Sequence, residues 1–575
     1  MKSSTLSLAL AALTSLTAIG CDDPAPAAGD ASTDTPARVD TPPPFDAGPP
    51  PTAYAGPDDW CPGRDHCRNT GDNRLSVGVA KEAITPEIPE SWTDSNNNHT
   101  YDEGEPFVDA NRNGEFDGVW IAGFGNGRPA TGVHDPLEVR ALAFRYNDIT
   151  VAWAVIDCVG FFINEMDLVR QDPTLRGLDV DKILISSTHV HEAVDTVGLW
   201  GRDLGHTGLN RAYQTLVRTR TATALRRAVE ALRPVRMRVA QTVTVDAMGS
   251  TLDYVNDTRD PVIYDPTVTI VQFVDDATPT QTVATLVNWA AHPEYTGSSN
   301  TLLSADYVHY LRDTMEMGLP GESITGLGGT TVFVNGPLGG QVGPGGGVHP
   351  RAPDGMTVRD SGLRKAELAG TNVARLALQA IQRDGQEVSD TSLSYRTAPI
   401  NARVENVGYG IFFNMGIFDR ELFAWDPHMP LGPDNYAWVR SRVTYFQVGP
   451  VAAITAPGEL HPELWVGFDN RWSWGQMRVT ETDNAPDFSR APTAPFLRDL
   501  MMMNPGVRYP FVAGLTEDFL GYIVPSYNYV LNPTLPYILE ASGNHYEETN
   551  SIGPEVERYL QHPMMELTRW RAPSP

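Results

Sequence analysis

An apolar run that ends in two histidines is the feature that most constrains the fold of this chain. Residues 183–187 read Ile-Leu-Ile-Ser-Ser, which is typical of a buried strand, and Thr188 then leads into His189-Val190-His191. Side chains two apart in an extended segment point to the same face, so both imidazoles are predicted to address one point beyond the strand. This geometry suits a metal ion, although two hydrogen-bonded surface histidines would give the same pattern.

Three further stretches place nitrogen or oxygen donors directly after strand-like runs. His292 follows Asn-Trp-Ala-Ala, Glu459 follows Ala-Pro-Gly, and Tyr522 precedes Ile-Val-Pro. Together with His189 and His191 they would give zinc mixed nitrogen and oxygen ligands and an open position for water, as in catalytic zinc sites. Because these residues are spread along the chain, their spacing alone does not identify a site.

The N-terminus predicts an exported protein. Residues 1–20 have a short basic start and an apolar segment too short to span a membrane, as in a signal peptide. The run Leu-Thr-Ala-Ile-Gly before Cys21 resembles a bacterial lipobox, which predicts a lipid anchor on Cys21; an ordinary secretory signal with an incidental cysteine is the alternative. Residues 21–56, rich in Pro, Ala and Asp, are predicted to be a disordered linker. We expect a membrane-anchored lipoprotein in the periplasm or at the cell surface, or a secreted protein.

Charge and cysteines limit the partners and the compartment. The 71 acidic and 43 basic residues give a net charge of −28, which opposes binding to nucleic acid. Cys61 and Cys67 are close enough in sequence for a local disulfide in an oxidising compartment, and Cys158 lies in an apolar run that predicts a buried free thiol.

Residues 57–575 are predicted to form a single large α/β domain with mixed sheets flanked by helices. Strand-like segments include residues 150–159, 236–245, 267–274 and 283–290. Residues 209–232 and 361–383 have apolar side chains at helical spacing. This alternation of strands and helices favours a mixed α/β body over an all-α or all-β body.

An insertion at residues 93–120 carries two copies of a calcium-loop pattern. Glu105 fills the twelfth position of the first loop, where a bidentate carboxylate is expected, but Trp120 stands there in the second loop, fifteen residues later. No helix pair flanks the loops, so we predict structural calcium binding rather than signalling; a polar, disordered loop is the alternative. The remaining predicted ligands are Asp94, Asn96, Asn98 and Asp102 in the first loop and Asp109, Asn111, Asn113 and Asp117 in the second.

Several motifs of the chain resemble the neutral/alkaline non-lysosomal ceramidase family, over residues 76–554. The resemblance rests on Gly132-Val133-His134, Ser187-Thr188-His189-Val190-His191, Asn288-Trp289-Ala290-Ala291-His292, Leu303-Ser304-Ala305-Asp306, Pro457-Gly458-Glu459, Gly521-Tyr522-Ile523 and Tyr546-Glu547-Glu548-Thr549-Asn550-Ser551-Ile552-Gly553-Pro554.

The resemblance implies a function and a ligand set. His189, His292, Glu459 and Tyr522 would hold zinc, while His191 and Tyr546 would line the site, with His191 passing a proton to the leaving amine. The expected reaction is hydrolysis of an amide (N-acyl) bond in a lipid-like substrate by water activated at the zinc.

Departures from the family leave alternatives open. Gly343 stands where the family has a serine, and Glu294, two residues after His292, is a candidate general base or extra ligand. The family's C-terminal immunoglobulin-like domain has no counterpart in the sequence. The alternatives are a non-catalytic, calcium-binding surface lipoprotein that keeps the fold, and a hydrolase of another acyl or ester bond with Glu294 as the base.

Overall fold

The computed structural model describes residues 45–46, 49–67, 69–245, 253–257, 259–341, 347–467 and 483–572. The predicted signal peptide, Cys21 and most of the predicted linker lie outside these ranges, as does Gly343. No helix within them has both the length and the apolar composition that crossing a bilayer requires.

The described ranges contain twenty-two strands and eight α-helices. The strands are β1 (Phe45–Asp46), β2 (Asp59–Cys61), β3 (Leu75–Ala83), β4 (Gly132–Val133), β5 (Glu138–Tyr146), β6 (Ile149–Ile156), β7 (Lys182–Ser187), β8 (Arg233–Val243), β9 (Thr267–Asp275), β10 (Thr282–Trp289), β11 (Leu302–Leu303), β12 (Gly318–Leu319), β13 (Ile324–Thr325), β14 (Thr330–Asn335), β15 (Gln386–Val388), β16 (Leu393–Val404), β17 (Leu422–Phe423), β18 (Ala437–Val448), β19 (Val451–Thr455), β20 (Glu459–Leu460), β21 (Tyr509–Ala513) and β22 (Tyr522–Ile523). The helices are α1 (Ile163–Arg170), α2 (Arg211–Glu230), α3 (Asp306–Met317), α4 (Leu363–Asp384), α5 (Val407–Asn414), α6 (Pro462–Val466), α7 (Leu497–Met502) and α8 (His562–Arg569).

Two large mixed sheets form the centre of the fold. The first has nine strands in the order β14-β10-β9-β8-β3-β5-β6-β7, with β15 beside β8. Its pairs β6–β7 and β10–β14 are parallel, whereas the pairs between them are antiparallel. The second has seven strands, with β1-β17-β18-β16-β2 in order, β19 paired with β18, and β21 paired with β19. The predicted mixed α/β class is confirmed.

The sheets pack face to face and helices cover their outer faces. Phe446 of the second sheet contacts Phe144 and Trp153 of the first, with ring centroids 5.3 and 5.9 Å apart, and apolar side chains of both sheets share one buried cluster. Helices α2, α3 and α4 pack on the other face of the first sheet, and α7 and α8 on the second. The result is a four-layer arrangement of helices, sheet, sheet and helices.

Helix α2 illustrates how the sequence determines an element's boundaries. Apolar periodicity predicts a helix over residues 209–232, whereas α2 begins at Arg211. The side chain of Asn210 accepts a hydrogen bond from the backbone N–H of Tyr213 at 3.0 Å, so Asn210 is the N-cap. Val217 and Leu225 are buried on the face toward the sheet, as the periodicity predicts.

The cysteines are arranged as their positions in the sequence predict. Cys61 and Cys67 are joined by a disulfide, and Cys158 is a buried free thiol. Burial raises the pKa of Cys158 to about 12, so it is a neutral packing residue at physiological pH rather than a nucleophile.

Candidate metal centre and its cavity

The two histidines of the His-x-His motif meet at one point, but not by strand alternation. Strand β7 ends at Ser187, and His189 has a φ of +70°, in the left-handed region. The two rings do meet as predicted, but the predicted cause, an extended segment, is wrong. The turn at His189 brings the rings together instead, with centroids 4.9 Å apart and the two Nε2 atoms 3.3 Å apart. Positive φ is uncommon for a non-glycine residue, so the surrounding packing must hold His189 in this turn.

Three other segments bring the remaining predicted ligands to the same point. His292 follows the end of β10, and Glu459 and Tyr522 are direct register partners in the short parallel pair β20–β22. Nε2 of His292 lies 3.1 Å from Oε2 of Glu459 and 3.2 Å from the hydroxyl oxygen of Tyr522. Nε2 of His189 lies 3.4 Å from the same Glu459 oxygen. All four residues are buried.

Backbone carbonyls orient two of the imidazoles. Nδ1 of His189 lies 2.6 Å from the carbonyl oxygen of Val159, and Nδ1 of His292 lies 3.0 Å from that of Gln341. A carbonyl only accepts hydrogen bonds, so each Nδ1 must carry the proton and donate it. The Nε2 atoms, which face Glu459, are then left as the metal-binding nitrogens, as in most histidine metal sites.

The charges of the cluster also suit a cation. Burial raises the pKa of Glu459, but the imidazoles of His189 and His292 outweigh burial and hold that pKa well below its usual range. Burial, and then the neighbouring imidazoles of His189 and His292, hold the pKa of His191 well below its ordinary value. Glu459 is therefore ionised, which is the form that binds a cation, and His191 beside it is neutral.

The donor set matches zinc better than a hard cation. Ring nitrogens of His189, His191 and His292 lie within 4.8 Å of one another, and no other three histidine, cysteine or carboxylate ligand atoms in the described ranges lie so close together. Imidazole nitrogens with a carboxylate are typical zinc ligands, whereas calcium and magnesium take oxygen ligands. The four residues that the family resemblance names as ligands therefore lie together at this point.

Glu294 and Tyr546 lie next to this group rather than within it. Oε2 of Glu294 is 3.3 Å from Nδ1 of His191, on the side of the ring away from His189. Glu294 is therefore placed to orient His191, as a carboxylate behind a metal-site histidine commonly does, rather than to act as an extra ligand. The hydroxyl of Tyr546 is 3.1 Å from that of Tyr522. Burial first, and then neighbouring carboxylates, raises the pKa of both phenols well above its ordinary value.

The cluster forms the floor of a large cavity. The cavity has a volume of about 1020 Å³ and is lined at its base by His189, His191, Glu459, Tyr522, Glu294 and Tyr546. Its walls are mostly apolar and include Val197, Trp200, Phe412, Met415, Phe418 and Ile538. Apolar walls with a few convergent polar groups are typical of a small-molecule site, and this volume lies near the upper end of the usual range.

Comparison with known proteins identifies the architecture. No protein-family profile and no curated protein sequence matches this chain. Among solved structures, neutral ceramidase from Pseudomonas aeruginosa superposes with a TM-score of 0.58 at 13% identity, covering 87% of this chain and 74% of that one. A structure titled as ceramidase complexed with C2 gives 0.56 at 13% identity, covering 87% and 75%. The chain has a ceramidase-like fold.

The insertion at residues 93–120 is attached to this ceramidase-like body as a compact module. Four of its aromatic side chains pack together, with Tyr101 4.6 Å from Phe116, Phe116 5.8 Å from Trp120, and Phe107 5.7 Å from Phe116 between ring centroids. Trp92 packs edge-on against Tyr101 at 6.1 Å. The first described helix begins only at Ile163, so no helix pair flanks the loops, as the sequence predicts.

The first loop closes on the glutamate that the sequence predicts. Oε1 and Oε2 of Glu105 accept hydrogen bonds from the backbone N–H groups of Ser95 at 2.8 Å and Asp102 at 3.1 Å. Asp94 accepts from the backbone N–H of Asn98 at 3.1 Å. The loop is therefore folded around its carboxylates.

The second loop closes on a residue that the sequence analysis missed. Oε1 and Oε2 of Glu90 accept hydrogen bonds from the backbone N–H groups of Ala110 at 3.0 Å and Asp117 at 2.8 Å. These two positions correspond to those that Glu105 binds in the first loop. Glu90 is buried and takes the place that Trp120 leaves without a carboxylate. The signal was present in the sequence, since Glu90 precedes Glu105 by the same fifteen residues that separate the loops.

Proposed function

We propose that this chain is a zinc-dependent hydrolase that cleaves the amide (N-acyl) bond of a lipid-like substrate. The observation that supports it most is that His189, His292, Glu459 and Tyr522 meet at one buried point. Of these, His189, Glu459 and Tyr522 line a mostly apolar cavity of about 1020 Å³. The ceramidase-like fold agrees with this reaction. Bound zinc would supply Lewis acidity that polarises a carbonyl and activates water.

The residues around the zinc site have separate tasks in this proposal. The apolar walls bind the acyl chain and exclude water, which strengthens the polar interactions at the floor. The hydroxyl of Tyr546, protonated because of its raised pKa, donates a hydrogen bond to substrate oxygen. His191 carries a proton to the leaving amine, and Glu294 behind Nδ1 keeps its ring in position.

A substrate series with metal removal tests this function. We expect purified protein to hydrolyse N-hexadecanoyl amides faster than N-acetyl amides, because only the longer chain fills the apolar walls. Treatment with 1,10-phenanthroline should abolish turnover, and zinc but not magnesium should restore it. Cleavage of the matched esters alone would indicate the ester hydrolase instead. Absence of both turnover and bound zinc would contradict the proposal and leave the non-catalytic surface protein.

We also propose that the insertion binds two structural calcium ions, one in each loop. The support is the equivalent closure of the loops by Glu105 and Glu90. Oxygen ligands from carboxylates, amides and backbone are the set that calcium prefers. Glu90 then supplies the carboxylate that the second loop lacks in its own sequence.

Calcium titration of charge-neutralised variants checks this assignment. Isothermal titration should give two calcium ions per chain for wild type and one for either Glu90→Gln or Glu105→Gln. Calcium at roughly 100 times its dissociation constant should stabilise the wild type by about 2.7 kcal/mol per site, or about 5.4 kcal/mol for two sites. Glu103→Gln, an exposed carboxylate in the first loop, is the matched control and should keep two ions. Two ions in Glu90→Gln would contradict the role of Glu90.

Export and lipid anchoring remain part of the proposal. The disulfide between Cys61 and Cys67 supports an oxidising compartment, since such bonds are rare in the cytosol. We expect Cys21→Ala to move the protein from the membrane fraction to the soluble fraction; an unchanged distribution would contradict the anchor.

A further inference from the structure

The insertion is hydrogen-bonded in series to two loops of the cavity wall. The backbone N–H of Tyr101, in the insertion, donates to the carbonyl of Gly127 at 2.7 Å, and the N–H of Gly127 donates to the carbonyl of Gly201 at 2.8 Å. Gly127 adjoins a wall loop at residues 123–126, and Gly201 lies within another at residues 199–205. Both loops line the cavity.

These two loops extend from the mouth of the cavity to its floor. Phe124 and Leu204, one from each loop, line the cavity and are 37% and 39% exposed, which places them at the mouth. The ring of Phe124 also packs edge-on against His191, with centroids 5.2 Å apart. The side-chain amide of Asn126 donates to the carbonyl of Leu199 at 2.8 Å, which joins the two loops. We call them together the insertion-side wall.

Gly127 is the point at which the insertion and this wall meet. Its φ is +74°, and a Cβ atom there would lie 2.7 Å from Cγ2 of Thr100 and 3.2 Å from the carbonyl oxygen of Arg202. Glycine both adopts this backbone conformation and permits the close approach. A Cβ atom at this position would force Thr100 of the insertion to shift against the wall. It would not enter the cavity, because Gly127 is not a lining residue.

We propose that the insertion is a specificity element, which fixes the insertion-side wall and so determines the length of acyl chain that the cavity accepts. The inference rests on the proposed function, in that the cavity is taken to hold an acyl chain. Surface loops without such support open at low free-energy cost, and ordering them on binding reduces affinity. A long chain reaches the mouth beside Phe124 and Leu204, whereas a short chain stays near the floor.

Gly127→Ala in the full-length protein tests this inference. We expect the kcat/KM for an N-hexadecanoyl amide to fall on the order of tenfold relative to wild type, through KM, while that for an N-butanoyl amide changes little. The dissociation constant for cis-parinaric acid, a long fluorescent fatty acid, should rise on the order of tenfold. Gly355→Ala is the matched control, because its φ is +86° but nothing lies within 4 Å of a Cβ atom there. It should behave as wild type in both assays.

The outcomes separate this inference from the proposed function. If the wild type hydrolyses amides but Gly127→Ala keeps the wild-type chain-length profile and affinity, the inference is overturned and the proposed function stands. If wild type binds cis-parinaric acid but cleaves no amide, the proposed reaction fails and the affinity change still decides the inference. If wild type does neither, both fail. Should Gly127→Ala not fold, Tyr101→Ala removes a ring that packs against Phe116 and should give the same two shifts.

Discussion

Replacing His292 with alanine should remove bound zinc and lower kcat/KM by at least about 1000-fold, or roughly 4 kcal/mol of transition-state stabilisation. His292 is the residue that touches both Glu459 and Tyr522, and its Nδ1 is anchored to the carbonyl of Gln341. Without this imidazole the metal would lose a ligand, and Glu459 would lose a polar neighbour in a buried site. The Lewis acidity that the reaction needs would disappear with the zinc.

Elemental analysis and steady-state kinetics on the same preparations measure this effect. His562→Ala is the matched control, because that side chain is 57% exposed at the start of α8. The control should keep about one zinc per chain and its activity. Stoichiometric zinc in folded His292→Ala would contradict the proposed ligand set.

Arg259→Ala should lower the free energy of unfolding by about 3–5 kcal/mol, more than any other substitution described above. The guanidinium is buried and lies 3.0 Å from Glu547 and 3.2 Å from Glu548, and it donates to the carbonyl of Asn528 at 2.6 Å. Although burial lowers its pKa, Glu547 and Glu548 outweigh burial and raise that pKa above its usual value. Alanine would leave two buried carboxylates without their shared cation.

The substitution should also disturb Tyr546 at the candidate metal site, because Glu547 and Glu548 directly follow Tyr546 in the chain. Urea unfolding of wild type and Arg259→Ala measures the stability change, and activity measured well below the unfolding midpoint reports on Tyr546. Arg569→Ala removes an exposed arginine that is 3.0 Å from Glu566, and should change stability by only about 0–1 kcal/mol. A change of that small size in Arg259→Ala would contradict the role of the buried ion pair.

The sequence predicted the elements better than their contacts. Residues 183–187 were predicted as a strand and β7 is Lys182–Ser187, since a continuous apolar run and the polar residues after it are local signals. The meeting of His189 and His191 was predicted for the wrong reason, because a left-handed turn follows no hydrophobic period. The adjacency of Glu459 and Tyr522 came from the family resemblance, since their pairing is a tertiary contact without a local signal.

Other parts of the site could not be predicted from local patterns at all. The cavity walls come from separate segments near residues 124, 200, 412 and 538, and only the packed fold brings them together. The contact of Glu294 with Nδ1 of His191 depends on where two loops end, so the sequence left the role of Glu294 open. Glu90 could have been found, because the fifteen-residue repeat extends back to it.

The pairing of β20 with β22 bears on when the chain can acquire its metal. Glu459 and Tyr522 become neighbours only after the two strands have paired, and His189 and His292 arrive from distant parts of the first sheet. Contacts between residues so far apart in sequence form late in folding, because the entropy of closing long loops must be overcome first. An unfolded chain has no preassembled zinc site, so a chain translocated unfolded would acquire zinc outside the cytoplasm. If the proposed zinc binding and export hold, zinc content would serve as a readout of completed folding.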